Sequence, residues 1–356
     1  MTDELTQARE ELRTVARALL AKSGPRPDWQ LLAGPGWPGL EIAPELGGSG
    51  ATFAEIAVIA TELGRAVAVS PFLGTVVLGA GLLAGISPAA GRDALLRDIA
   101  AGRSRVAVAM ATGDDAVAGD AAPFRVQRVN GRLTVHGTAR FVPDAMAADH
   151  ILLLGREDSG RPVAVQLGAA ELRAEPQPVV DETRQLAVVE AGGARVSSAA
   201  VWQFAGDPEA AVRALAGRAA LAVACDSLGV AEAMLEATVS YAGKRCQFGR
   251  PIGSFQAVKH ACADMLVQVS MARELVSGAA GAVAGDAAEA PAAVSMAKSY
   301  ACAAAVSVVG KAIQLHGGIG YTWEAGLHAY LKRAALNRSL FGSPAAHRQL
   351  LAQRYA

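Results

Sequence analysis

From Glu4 to Leu20 the apolar residues fall at Leu5, Ala8, Leu12, Val15, Ala16, Leu19 and Leu20, with Arg, Glu and Gln between them. This period of 3.6 predicts an amphipathic helix, and Ser23-Gly24-Pro25 ends it. After a stretch at 34–50 dense in Gly and Pro, helical patterning resumes over Phe53–Leu63 and Pro71–Leu83. The first hundred residues therefore read as mostly helix. Near Arg105 the period drops to two. Phe124 to His136 alternates apolar and polar across Asn130-Gly131, a strong hairpin signal because both turn positions require positive φ. Val106–Met110, Ile151–Leu154, Val163–Leu167 and Leu186–Val189 read as further strands, giving a small antiparallel β domain.

Beyond Trp202 the helical pattern returns over Ala210–Gly243, Ser254–Gly285, Ala292–Leu315 and Glu324–Arg338. It is broken at Pro251-Ile-Gly253, Ala290-Pro291 and His316-Gly-Gly-Ile-Gly320. Long helices with short connections predict an antiparallel four-helix bundle. The fold class is α+β, mainly α, with a helical domain at 1–103, a β domain at 104–203 and a bundle at 204–356.

Charge narrows the function classes. The 33 Lys and Arg match 33 Asp and Glu, so no basic excess serves a nucleic acid. Cys225, Cys246, Cys262 and Cys302 form no C-x-x-C pair and have no His at ligand spacing, which predicts neither zinc nor a disulfide framework and points to a reducing, cytoplasmic setting. Acids at Asp3 and Glu4 argue against a secretory leader. No apolar run reads as reaching the ~18–20 residues of a membrane span.

Three segments sharpen the picture. Arg245-Cys-Gln-Phe-Gly249, followed by Pro251-Ile-Gly-Ser-Phe-Gln256 and Ala263-Asp-Met265, resembles the first signature of the acyl-CoA dehydrogenase family. Gln314-Leu-His-Gly-Gly-Ile-Gly-Tyr-Thr-Trp-Glu324 resembles its second, and Gly36-Trp-Pro-Gly-Leu40 with Pro44-Glu-Leu-Gly-Gly48 is similar to a loop of its N-terminal domain. The resemblance implies FAD lying between β domain and bundle, with the ADP end gripped by a neighbouring subunit. Arg245, Phe248, Gln256, Gln314, Gly317 and Gly318 would make that grip. Arg245 suits pyrophosphate as a fixed guanidinium fork, and Gly317-Gly318 lets backbone amides approach a ligand. For the chain's own flavin the resemblance implicates Thr112 in Met110-Ala-Thr-Gly-Asp-Asp115, Phe141 in Phe141-Val-Pro143, and Ser343. Pro143 stands where the family supplies a hydroxyl and an N–H, and Pro has neither.

The family's reaction removes an α-proton of an acyl-CoA with a carboxylate while the β-hydrogen leaves to the flavin. That carboxylate has two homes in the family, which fall here at Phe341 and Ala219, so neither position carries one. The segment Lys332-Arg333-Ala334 also departs from the family's Arg-Asp-Ala. Asp226, within Ala222-Val-Ala-Cys225 and Ser227-Leu-Gly229, is the remaining acid on that helix. It reads either as a relocated base or as a buried, ion-paired residue, since an unpartnered carboxylate there is costly. Glu324 reads as structural. Two functions follow: a flavin-dependent acyl-CoA dehydrogenase with its base at Asp226, or a subunit that relies on a base-bearing relative. The expected partners are an acyl-CoA, an electron-transfer flavoprotein or similar acceptor, and other subunits in a homo- or hetero-oligomer.

Overall fold

The computed structural model describes residues 2–118, 121–129 and 132–354. Its N-terminal layer contains α1 (Thr2–Ser23), α2 (Trp29–Ala33), α3 (Phe53–Arg65), a π-helix (Leu73–Ala80), α4 (Gly81–Ala84) and α5 (Ala90–Ala100). Helix α3 starts on a capping box between Thr52 and Glu55, which satisfies backbone donors at its first turn. It is buried along nearly its whole length. Helix α1 covers one side of it, and Arg17 makes a two-pronged bond to the buried Glu62 at 3.0 and 2.9 Å. The segment expected as an ordinary helix over Pro71–Leu83 is wound as the π-helix. Its Thr75 hydroxyl both donates to the Val106 carbonyl and accepts from the Val106 N–H, fastening it to the first strand.

The β layer follows as β1 (Val106–Ala109), the short helix α6 (Asp115–Ala118), β2 (Phe124–Val129), β3 (Arg132–Pro143), β4 (His150–Glu157), β5 (Pro162–Gly168), β6 (Arg173–Pro176), β7 (Leu186–Val196) and β8 (Val201–Gln203). The strand order is β6-β7-β3-β2-β4-β5-β8, with β1 also on β4. The sheet is not purely antiparallel as expected, because β1 and β2 both run parallel to β4 and share its length between them. Register Val129↔Arg132 fits the predicted two-residue turn, whose Asn130 and Gly131 lie outside the described residues. Strands β4 and β5 face apolar clusters on both sides, which is why they read as unbroken apolar runs. Strand β6 carries an exposed, polar sequence at the sheet edge and gave no periodic signal.

The C-terminal part contains α7 (Pro208–Lys244), the two-residue strands β9 (Cys246–Gln247) and β10 (Arg250–Pro251), α8 (Gln256–Ala284), α9 (Ala290–His316), α10 (Leu327–Ser339) and α11 (Pro344–Arg354). Helix α11 adds a fifth member to the expected four. By length and composition α7 and α9 are apolar enough to cross a bilayer, contrary to the sequence expectation; both are largely buried as the core of the bundle. Where α3 crosses α7 the backbones nearly touch. A Cβ on Gly64 would lie 2.0 Å from the Asp226 carbonyl oxygen, and one on Gly229 would lie 1.9 Å from that of Thr61.

Candidate functional site

Two signatures far apart in sequence meet at one end of the bundle. Helix α7 ends at Lys244 and α9 at His316. Tyr241 stacks on His316 with ring centroids 4.4 Å apart, which ties the two ends together. From there Arg245 leads into the β9–β10 hairpin, closed by the pairs Arg250↔Gln247 and Pro251↔Cys246. The turn residues Phe248 and Gly249 have φ of +53° and +76°. A bulky residue in this region is strained, and here the strain displays the Phe248 ring, 91% exposed. Phe255 sits edge-on to it at 6.1 Å, with the Arg250 guanidinium 4.2 Å above the Phe255 ring.

Arg245, Gln256, Gln314, Gly317 and Gly318 are all exposed around this hairpin. Arg245 forms no ion pair with any described residue, unlike the salt-bridged arginines of α1 and α3. Gly317 ends α9 at φ +61°, ψ −142°, a conformation open essentially to glycine alone. A Cβ on Gly317 or Gly318 would meet nothing within 4 Å, so the backbone there is bare. Ile319, Tyr321 and Trp323 extend the exposed apolar surface. The structure thus brings the whole predicted outward-facing set to one surface.

The inward-facing set has a different character. Phe341 and Ala219 are wholly buried. Phe341, at φ +54°, donates its N–H to the Thr112 carbonyl. The Thr112 hydroxyl donates to the Arg140 carbonyl at 3.1 Å, and the Phe141 N–H donates to Gln177 Oε1 at 2.8 Å. Ser343 donates its N–H to Asp114 Oδ1 at 2.7 Å and its hydroxyl to Oδ2 at 3.2 Å.

Asp226 is buried at the centre of a charge network. Arg333 donates Nε to Oδ1 and Nη2 to Oδ2, each at 3.0 Å. Asn337 donates Nδ2 to Oδ1 at 2.6 Å, and Arg184 pairs with Oδ2 at 3.1 Å. The remaining Arg333 donors go to Thr183 and the Ala68 carbonyl. Burial alone would push this carboxyl up, but the two guanidiniums and these hydrogen bonds hold it below the usual carboxylate range. Of the two readings open for Asp226, the geometry matches the ion-paired one; a fully paired carboxylate with a depressed pKa is poorly suited to take a proton. A cavity of about 20 Å³, lined in part by Ser70, Phe72, Arg184, Asp226 and Arg333, has room for about one water.

Sequence reading missed Arg184 and Asp144. The signal for a cation was present, since a carboxylate on a buried helix face demands one and Arg333 stands where the family's pattern has Asp. Asp144, at φ +62°, accepts from the Gly74 N–H of the π-helix at 2.8 Å. Burial raises its pKa to about 6 against the opposing effects of that bond, Arg184 and Arg333. A carboxyl raised on folding contributes stability that is complete below its unfolded pKa and lost as pH rises through the folded one. Asp144→Asn keeps an acceptor for Gly74, so its melting temperature relative to the parent should climb between about pH 4 and about pH 6. A constant difference across that range would show that Asp144 does not titrate there.

The acyl-CoA dehydrogenase N-terminal domain model matches residues 4–103 and the C-terminal domain model residues 209–356. The acyl-CoA dehydrogenase IpdE2 of Mycobacterium tuberculosis is 38% identical over 173 residues, 48% of this chain and 48% of that protein. The chain spans about half the length of the curated relatives it matches first. Among solved structures, the ChsE4-ChsE5 complex from Mycobacterium tuberculosis superposes with a TM-score of 0.87 at 24% identity, covering 98% of this chain and 97% of that one. A variant of the Tcur3481-Tcur3483 steroid ACAD gives 0.84 at 27% identity, with 98% of each chain covered.

Proposed function

Because the chain belongs to the acyl-CoA dehydrogenase family, we propose that it is one subunit type of a mixed flavin-dependent enzyme. That enzyme desaturates an acyl-CoA thioester between Cα and Cβ and takes its catalytic base from the other subunit type. The observation carrying this reading is that, among the described residues, none of the three positions read for the base offers a free carboxylate. Phe341 and Ala219 occupy the two expected positions as buried apolar residues, and Asp226 is held by Arg333, Arg184 and Asn337.

FAD is the family's cofactor, and when bound it supplies the acceptor for the departing hydride. The outward-facing surface fits its ADP end. Arg245 offers a guanidinium with no carboxylate partner among the described residues, Gly317 and Gly318 offer bare backbone, and Phe248 offers an exposed ring. This chain's part is to bind and orient that end of a cofactor whose chemistry takes place in the other subunit. The ChsE4-ChsE5 complex and the Tcur3481-Tcur3483 steroid ACAD each carry two chain names, which supports a mixed assembly. An electron-transfer flavoprotein or similar carrier would reoxidise the complex.

The test is anaerobic bleaching of the flavin by an acyl-CoA, with this chain alone and co-purified with a base-bearing relative. Bleaching is expected only in the mixed complex, because a general base contributes roughly 10²–10⁴ in rate. Robust bleaching by this chain alone would overturn the proposal, and loss of that activity in Asp226→Asn would reinstate the relocated base. Arg245→Ala should weaken FAD retention by the mixed complex by one or two charge-assisted hydrogen bonds, about 1.5–3 kcal/mol each. Native circular dichroism with unchanged retention would return Arg245 to an ordinary surface role. Assembly has its own readout: exposed Cys246 lies in the hairpin while Cys225 and Cys302 are buried, so the relative should shield Cys246 from iodoacetamide.

A further inference from the structure

The chain's own flavin seat is a separate question, and the walls that the family resemblance assigns to it are in contact with each other. One wall is the segment after β1, Met110 to Asp115; the other is the loop between α10 and α11, Leu340 to Ser343. Three hydrogen bonds zip them together, from the Phe341 N–H to the Thr112 carbonyl and from the Ser343 N–H and hydroxyl to the Asp114 carboxylate. The contact is tight on both sides: a Cβ on Gly342 would lie 3.0 Å from Val117 Cγ1 and 2.7 Å from His347 Nε2.

The loop is also anchored from behind. His347 Nε2 donates to the Phe341 carbonyl at 2.9 Å, which leaves Nδ1 to accept from the Ser295 hydroxyl at 3.2 Å. Burial lowers the His347 pKa to about 4, so this neutral tautomer persists at physiological pH. With both backbone groups spoken for and its side chain wholly buried, Phe341 occupies its φ of +54° as a fixed plug. Polar groups the resemblance offers to the flavin edge are used within the chain: the Thr112 hydroxyl on Arg140, the Phe141 N–H on Gln177, and the Ser343 N–H and hydroxyl on Asp114.

We propose that this zipped pair of segments is a permanent closure, so that the chain seats no flavin of its own. A pair formed with a base-bearing relative then carries one FAD rather than two. The inference rests on the mixed-subunit reading and adds the cofactor count to it.

Two measurements test it. The first is the ratio of released FAD to polypeptide in the purified mixed complex, expected at one FAD per two chains; one per chain would overturn the closure. The second requires no relative: the isolated full-length chain and its Arg245→Ala form are each titrated with FAD by equilibrium dialysis. Any binding by the parent should come from the outward-facing surface and fall at least tenfold in Arg245→Ala. Stoichiometric FAD binding that survives Arg245→Ala would place a flavin in the seat and overturn the closure. The two proposals fail separately. Two flavins per pair with acyl-CoA bleaching defeats only the closure, whereas one flavin per pair without bleaching defeats only the enzymatic reading.

Discussion

Arg333→Met is expected to destabilise the protein by about 3–5 kcal/mol, the range for removing one partner of a buried ion pair. Arg333 is 2% exposed in its side chain and Asp226 5%. All five guanidinium N–H groups are used on Asp226, Thr183 and Ala68, so methionine fills the volume but replaces none of these bonds. Asp226 is then left with Arg184 and Asn337 alone. The pH dependence gives the mechanism a signature. In the parent the Asp226 carboxyl is held below its ordinary range, so its stabilising contribution is present above the unfolded pKa and disappears as pH falls through the lower, folded value. In Arg333→Met burial acts against the charge with less opposition, and the carboxyl binds a proton more readily in the folded state. The stability gap should therefore be widest near neutrality and shrink toward about pH 4. Urea melts at a series of pH values measure it, and a gap independent of pH would assign the loss to packing.

Gly229→Val is the second large effect, at about 3 kcal/mol or more. The obstacle is the Thr61 carbonyl oxygen on the facing helix, which cannot swing aside as a side chain can. Relief requires moving α3 away from α7, and with it Gly64, which lies against Asp226 on the same crossing. The variant should show a lowered melting temperature, and Gly229→Ala a smaller loss in the same direction. A neutral Gly229→Val would mean that the crossing is far more compliant than its backbone contacts indicate.

Much of the architecture was legible because periodicity responds to burial. Helices α1 and α3 and the long bundle helices appeared from their apolar spacing, and the β2–β3 pairing was marked by Asn-Gly between alternating runs. What escaped notice was set by tertiary contacts. The π-helix is fastened by Thr75 to Val106, α11 has a mixed polar sequence after a Phe-Gly loop, and the parallel placement of β1 and β2 on β4 leaves no local mark. The outward-facing set was named only through the family resemblance that the motifs around Arg245 and Gly317-Gly318 carry, and the fold gathers those residues on one surface. The contact between Thr112 and Phe341 involves two backbone groups, which carry no residue identity. The arginine pair around Asp226 was implied only as a requirement: burial demanded a cation, and the fold decided which.

The strained hairpin has a consequence for supply within the cell. It displays Phe248 beside a surface that also bears Ile319, Tyr321 and Trp323, and under the mixed-subunit proposal a chain made without its relative would carry this apolar patch uncovered. On that proposal an orphan copy would be exposed to chaperones and proteases. The exposed turn would then tie the abundance of this chain to that of its relative, a coupling that expressing either chain alone would reveal as a fall in its steady-state level.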